Sequence, residues 1–373
     1  MRIVRITPSS FDAPFRFGYR SSHLLRQKAD SILLAIHFDT GVVGYGESVP
    51  RSYVTGETPD SVMELLAGHF TDFLTGRDVN SLEDVEGLLE GLRGVCNRHG
   101  IRTFQSALGA VDIALLDGLG RKQGIPVHGL IGPRVRSELP WSLPVPLLSD
   151  AEIRKFHGTI TRGTFGSLKV IVSRDADQNV ERLRLVRSLF GESIEVRIDA
   201  NGNWTREEAV SHLRRLQPYR LAAVEQPVAK GDMEGLRQIR KAFGIPVVVD
   251  ESLCGPEDAE ALIANEACDI LNIKISKVGG LLAAKRIAAY GASKGVTCLL
   301  GGHVGETDIL TNAALHFLLV APALSLVEGF SSMLFGKARG IDDLDPGRWI
   351  AQILDAPGIG FDPQSVESAV LAR

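Results

Sequence analysis

From about residue 139 onward the chain repeats one pattern: a short, almost unbroken apolar run, a helical stretch rich in Arg, Leu and Ala, then another apolar run. The runs read SLKVIV, EVRID, AAVEQP, PVVVDES, DILNIKIS, VTCLLGG and LSLVEGF. A strand with one wet face alternates apolar and polar residues, so strands that are apolar throughout must be covered on both faces. Strands of this kind alternating with helices imply a parallel sheet sandwiched by helices. The repeat of roughly 25 residues is the size of one βα unit, and seven or eight such units close a barrel. A doubly wound open sheet is the competing architecture, but no G-x-G-x-x-G follows a strand to support it.

The first 130 or so residues have a different texture. SILLAIHFDTGVVGYGES reads as two alternating strands around the turn Asp39-Thr40-Gly41, and 59 to 123 carry helical spacing, which together make an α+β module. At 373 residues and 44% hydrophobic, the chain can bury a large core in a barrel with an appendage. Lys and Arg number 41 against 45 acidic residues, a formal net charge of -4 with no long block of either sign. That balance offers no electrostatic footprint for nucleic acid or an anionic membrane. MRIVRITPSSF lacks the apolar core of a signal peptide and no later run reaches membrane-span length, so a soluble, cytoplasmic protein is expected. Cys96, Cys254, Cys268 and Cys298 are scattered without paired spacing and fit reduced core residues better than disulfides or a zinc site.

The chemistry sits at the strand ends. The last polar residue of each predicted strand gives, in order, Lys169, Asp199, Glu225, Asp250 and Lys274, with Glu306 just beyond the following strand. In a barrel the C-terminal rim is where catalytic groups converge, so these side chains point into one bowl. Three carboxylates on successive strands repel one another, which raises at least one pKa unless a cation intervenes. An all-oxygen set without adjacent His or Cys favours Mg²⁺, with Mn²⁺ as a substitute. A metal beside a lysine suits removal of the proton α to a carboxylate, where the ion neutralises the enediolate and the lysine carries the proton.

With these residues placed, the chain is identified as a member of the enolase superfamily, in the mandelate racemase/muconate lactonizing enzyme family. It resembles the branch of muconate-lactonising enzymes, dipeptide epimerases and succinylbenzoate synthases. GVVGYGES and YVTGET resemble the family's capping domain and mobile loop; ALGAVDIALLDGLGRKQGIPVHGLIG resembles the entry to its barrel; IDANGNW, VEQPV, VVVDESL and NIKISKVGG resemble its strand-end motifs. The resemblance implies a modified TIM barrel of (β/α)7β type over 131–345, an α+β capping domain over 1–130, and a segment, 346–373, returning to that cap. It also implies Asp199, Glu225 and Asp250 as metal ligands, Lys274 as acid/base, Asn201 as a supporting group, and Glu306 near the substrate carboxylate.

The match fails at one strand. This branch carries Lys-x-Lys there, the first lysine helping to bind or polarise the carboxylate and the second acting as acid/base opposite Lys274. Aligned through the following helix, Lys169 takes the first position and Ile171 the second. Period two along a strand sends both into the barrel, so Ile171 is not an outward residue. An insertion would instead make Lys169 the second lysine and Ser167 the first. His303 stands near where the racemase branch has a catalytic His, but the Asp that accompanies it is replaced by Leu271.

The leading expectation is therefore a Mg²⁺-dependent enzyme that makes or quenches an enolate beside a carboxylate, most like a muconate-type cycloisomerase or lyase run from Lys274. An amino-acid or dipeptide epimerase using His303 or Lys169 as second acid/base is the alternative, and a non-catalytic carboxylate-binding barrel is a third reading. The substrate is expected to be a small carboxylate. Glu328 and Phe330 in SLVEGFSS, with Tyr19, Arg20 and Tyr53 from the capping loops, are the candidate substrate contacts. Dipeptide epimerases show Asp-x-Asp where Glu328 and Phe330 stand. Symmetric homo-oligomerisation is expected from the prior for such enzymes.

Overall fold

A computed structural model describes residues 1–20, 25–137, 139–159, 165–328 and 356–362. Five strands belong to the N-terminal region. β1 (Ile3–Phe11), β4 (Ser31–Phe38) and β5 (Val43–Ser48) form an antiparallel sheet, while β2 (Pro14–Arg20) and β3 (Leu25–Lys28) pair as a separate hairpin. The turn between β4 and β5 closes at Gly41, whose φ of 81° suits glycine.

The sheet lies on the helix Gln105–Gln123, and the contact is close because β5 carries glycines. A Cβ on Gly46 would fall 1.9 Å from the Ala110 carbonyl oxygen, and one on Gly44 2.0 Å from that of Ala114. Residues 356–362 pack on the same helix. The Ile359 N–H donates to Asp117 Oδ1 at 2.9 Å, and the Phe361 ring meets Tyr45 edge-on at 5.4 Å.

Eight parallel strands then close a barrel: β6 (Trp141–Val145), β7 (Ser167–Ile171), β8 (Glu195–Asp199), β9 (Ala223–Glu225), β10 (Val247–Val249), β11 (Ile270–Ile273), β12 (Thr297–Leu300) and β13 (Leu324–Glu328). Neighbours in sequence are neighbours in space, and β13 pairs with β6 to complete the ring. Helices connect every consecutive pair, giving the (β/α)7β arrangement. β6 is the strand absent from the apolar runs, because Ser142 and Pro144 interrupt its pattern.

Strand periodicity divides the side chains cleanly. Leu168, Val170, Val196, Ile198, Val224, Leu271 and Ile273 join the main core, on the side of the helices. On the inner side, Ala223, Val248 and Leu299 pack with Ile270 and Leu326 into a separate apolar cluster that plugs the barrel. Two residues further along the same strands stand Glu225, Asp250, Asn272 and Glu328, also facing inward.

The two parts of the molecule are joined through helix N-termini. Gly280 provides no side-chain cap for the helix Leu281–Ser293, and Asp112, from the helix Gln105–Gln123, accepts the Leu281 N–H at 2.5 Å instead. Glu47 on β5 accepts the Thr307 N–H at 3.0 Å and its hydroxyl at 2.8 Å, ahead of the helix Asp308–Val320. A carboxylate is favoured there by both the free N–H groups and the helix dipole. All four cysteines are buried and unbridged.

Candidate active site

The charged groups converge as the strand-end pattern requires. Lys169, Asp199, Glu225, Asp250, Lys274, His303, Glu306 and Glu328 are all under a tenth exposed and line the C-terminal half of the barrel. β7 and β11 are four places apart in the closed eight-strand order, so Lys169 and Lys274 approach from opposite walls.

Lys274 ends β11, and its ammonium lies 2.6 Å from Asp250 Oδ2. Lys277, one turn later and fully buried, takes Asp250 Oδ1 at 2.5 Å and the backbone oxygens of Asp250 and Asn272. Burial opposes the Lys274 charge, but Asp250, Glu328 and Glu225 together outweigh it and hold its pKa above the usual lysine value. Asp250 lies well below the carboxylate range: burial works against its charge, while Lys274, Lys277 and Lys169 prevail. Gly301 keeps room for these groups, since a Cβ there would come within 2.5 Å of Asn272 Oδ1 and 3.1 Å of both Glu328 Oε2 and Lys274 Cε.

Across the barrel, Lys169 Nζ lies 3.0 Å from Glu328 Oε2, 3.3 Å from Asp199 Oδ2 and 3.5 Å from Glu225 Oε1. Arg197, two residues before Asp199 on β8, faces the same interior and pairs with Glu225 at 2.8 Å and with Glu328. Ile171 is 2% exposed yet belongs to no apolar cluster among the described residues. It points inward as expected, and pairs in register with Asp199, whereas Lys169 pairs with Arg197 one level lower.

The backbone beyond the strands is locally strained in support of this arrangement. Asn201 (φ 49°) donates its N–H to Asp199 Oδ1 at 2.9 Å. Gln226 (φ 34°) directs its amide across to β10, accepting from the Asp250 N–H at 3.1 Å and donating to Ser252 Oγ at 2.8 Å. Non-glycine residues in this region of φ cost free energy and persist where the surroundings hold them.

His303 and Glu306 stand together after β12. Ser276 Oγ links them, 3.2 Å from His303 Nδ1 and donating to Glu306 Oε1 at 3.3 Å, and the His303 N–H donates to the same oxygen at 2.6 Å. Burial, then the nearby Lys274 and Arg51, push His303 well below the ordinary histidine value, so its ring is neutral. Burial lifts Glu306 to about 7.

Not every expected substrate contact reaches the bowl. Tyr19 does: burial pushes its phenol up to about 12, and the charges it feels are those of Lys169, Asp199, Glu328 and Lys274. Arg20 is exposed, its charge is felt by Glu152 on the helix Asp150–Thr159, and its carbonyl accepts the Leu147 N–H at 3.0 Å. Tyr53 is 38% exposed. Glu328 sits lower than a rim contact, both carboxylate oxygens being occupied by Lys169 and Arg197. Phe330 lies outside the described residues. The sequence reading missed Arg197, Glu251, Lys277, Asn272 and Gln226; inward period-two positions and the D-E pair in VVVDES were the available signals.

The donor set fits a divalent cation. Six buried carboxylates, Asp199, Glu225, Asp250, Glu251, Glu306 and Glu328, stand among four buried cations, Lys169, Arg197, Lys274 and Lys277, so the acids outnumber the bases around the bowl. Burial and the proximity of Asp250 and Asp199 lift Glu251 to about 8; burial and then Asp199 and Glu328, against Lys169, lift Glu225 to about 7. Glu251 Oε2 is buried without a hydrogen-bond partner. As placed, no three carboxylates among the described residues converge on one point, because Lys169 lies between Asp199 and Glu225 while Lys274 and Lys277 hold Asp250.

Comparison with known proteins agrees with this geometry. The model for the mandelate racemase / muconate lactonizing enzyme N-terminal domain matches residues 4–132, and the enolase C-terminal domain-like model matches 152–367. The L-Ala-D/L-Glu epimerase of Bacillus subtilis (strain 168) is 30% identical over 320 residues, 85% of each chain. The solved dipeptide epimerase of Methylococcus capsulatus, complexed with Mg and the dipeptide L-Arg-D-Lys, superposes with a TM-score of 0.77 at 30% identity, covering 91% of this chain and 93% of that one. The N-succinyl Arg/Lys racemase of Bacillus cereus ATCC 14579 superposes with a TM-score of 0.86 at 25% identity, covering 99% and 98%. The chain therefore belongs to the mandelate racemase/muconate lactonizing enzyme family of the enolase superfamily.

Proposed function

We propose that this protein is a Mg²⁺-dependent isomerase or lyase that forms an enolate next to the carboxylate of a small substrate, with Lys274 as the proton carrier. The observation that carries the reading is Lys274 at the end of β11, 2.6 Å from Asp250, beside a buried carboxylate set that outnumbers its cations. Asp199, Glu225 and Asp250, at the ends of β8, β9 and β10, would hold the ion. When bound, it would supply neutralisation of the enolate charge as a Lewis acid.

The protein's own groups divide the remaining work. Lys274, in its uncharged form, takes the α-proton and then returns a proton to the product. Lys169 offers a positive charge to the substrate carboxylate from the facing wall. Tyr19, from the β2–β3 hairpin over the mouth, excludes water and donates its hydroxyl proton to the substrate, since its raised pKa keeps the phenol neutral. Glu306, with a pKa lifted to about 7, can hold or release a proton on the Lys274 side. A cycloisomerisation or β-elimination needs only one such carrier. The placement of Ile171 level with Asp199, where an amine would complete a second one, favours that class.

A racemase or epimerase is the second reading, favoured by Lys169 lying across from Lys274 and by the relatives, which are epimerases and racemases of dipeptides and N-succinyl amino acids. In D₂O with Mg²⁺ and a panel of carboxylic acids, the first reading predicts deuterium entering at one face of the α-carbon, and loss of that signal in Lys274→Met. Racemisation that stops in Lys169→Ala or His303→Ala while one-sided exchange persists would establish the second. No α-exchange with any acid, in protein shown to bind Mg²⁺, would overturn both.

A further inference from the structure

Arg51, just past β5, is 1% exposed, and its guanidinium spans three pieces of chain. Nη1 donates to Asp30 Oδ1 at 2.8 Å and to the Pro50 carbonyl at 2.6 Å, while Nη2 donates to the Val304 carbonyl. Asp30 stands between β3 and β4, and its other oxygen accepts from Arg26 Nη1 on β3 at 2.7 Å. Val304 lies in the segment 301–306, which follows β12 and carries His303 and Glu306. The Arg51 backbone is engaged as well: its carbonyl accepts the Val54 and Thr55 N–H groups, both at 2.8 Å, and so folds residues 51–55 into a tight turn.

Packing brings the same pieces together. A Cβ on Gly305 would lie 3.2 Å from Arg51 Nη2, 3.6 Å from Ala29 Cα and 3.7 Å from Phe15 Cζ, so the barrel segment rests on the guanidinium and on the base of the β2–β3 hairpin. Phe15 is on β2, the strand that brings Tyr19 to the charges of the bowl. Pairing the buried Arg51 charge requires only Asp30. The added bond to an uncharged carbonyl of the barrel fixes position instead. A guanidinium suits this junction because its rigid planar fork donates in two directions at once, whereas an ammonium in its place is a point charge on a flexible stem.

We propose that Arg51 is a positioning residue that ties residues 301–306 to the β2–β3 hairpin through Asp30, so that the cover carrying Tyr19 and the pair His303 and Glu306 on the Lys274 side are set as one assembly. Arg51 acts through that pair and not on the reacting atoms. Its bearing on turnover rests on the enolate reading above, whereas the mechanical tie does not.

Amide hydrogen exchange of the substrate-free protein, read by mass spectrometry, tests the tie without turnover. Asp30→Asn alters its hairpin end, at a side chain 32% exposed, and should quicken exchange about tenfold at 301–306, the difference between a charge-assisted and a neutral hydrogen bond. The helix Asp308–Val320 should exchange as in the native protein. Quickening confined to the hairpin, or spread equally over that helix, overturns the proposal. Arg51→Lys keeps the charge but not the fork and should quicken 301–306 likewise; native exchange there would make charge alone sufficient and also overturns it. Should Arg51→Lys not fold, Asp30→Asn decides. In D₂O with Mg²⁺ and a carboxylic acid that the native protein exchanges, Arg51→Lys should lower kcat about tenfold with KM within about threefold, as expected of misplaced groups and not of lost binding. With His303→Gln and Glu306→Gln already in place, the same change should add nothing, and an equal loss in both backgrounds counts against the proposal. Absence of α-exchange with every acid, with the response at 301–306 intact, would sink the enolate reading and leave the tie supported.

Discussion

Two layers of side chains fill the same barrel, two residues apart on the same strands. The lower one is Ala223, Val248, Ile270, Leu299 and Leu326; the upper one contains Glu225, Asp250, Asn272 and Glu328. Both are buried, yet they meet the cost of burial in opposite ways. The lower layer gains by leaving water, at roughly 25 cal/mol per Å² of apolar surface. The upper layer loses hydration and recovers it only through pairing, which leaves little net stability and a large penalty for breaking any one pair. The lower layer therefore holds the fold, and the upper layer spends stability on a field directed at a substrate.

Variants at each layer should separate these roles. The largest effect is expected from Lys274→Met, which should slow α-proton exchange by about 10³-fold, within the range for a lost general base. Urea unfolding should show it folded, since Asp250 keeps Lys277. Leu299→Ala, in the lower layer, should cost about 2–5 kcal/mol of stability while leaving exchange at 25 °C within a few fold of the native rate. Exchange collapsing in that variant below its melting transition would break the comparison.

Mg²⁺ should act on the upper layer alone. At a free concentration of about 100 times its Kd it should raise stability by about 2.7 kcal/mol, an increment that a chelator reverses and Asp199→Asn abolishes. An equal increment in Asp199→Asn would remove that residue from the ligand set.

The smallest effect concerns neither layer. His316, buried in the helix Asp308–Val320 with its Nδ1 3.1 Å from that of His128, is pushed down to about 3, first by burial and then by His128. The folded state sheds a proton that the unfolded chain holds below about 6.5, so stability from this site is full above that pH and is lost as pH falls toward 3. The slope reaches about 1.4 kcal/mol per pH unit. His316→Phe should flatten urea midpoints between pH 6.5 and 5; an unchanged slope would assign the acid sensitivity to the bowl.

The barrel was legible because seven of its strands are apolar enough to stand out, and the acids at their ends follow from where a barrel opens. β6 was not, since Ser142 and Pro144 occupy its inward positions and erase the run. Within the site, taking only the last polar residue of each strand found Asp199 and Glu225 but passed over Arg197, which shares a face with Asp199 two residues earlier. The inward aim of Ile171 was readable from period two alone. That Glu328 lies deep and Arg20 is exposed was not, because strand stagger and the pose of the β2–β3 hairpin are tertiary properties.

The carboxylates of Glu47 and Asp112 have a further consequence for how this architecture can be taken apart. Each completes a barrel helix from outside the barrel, so the C-terminal region expressed by itself would leave the N-terminal amides of residues 281 and 307 without their acceptors. Replacing the N-terminal region with that of a relative would leave those amides unmatched unless the donor brings an acid to both places. The N-terminal region and the barrel are thus one structural unit, bound by two carboxylates that the N-terminal region supplies.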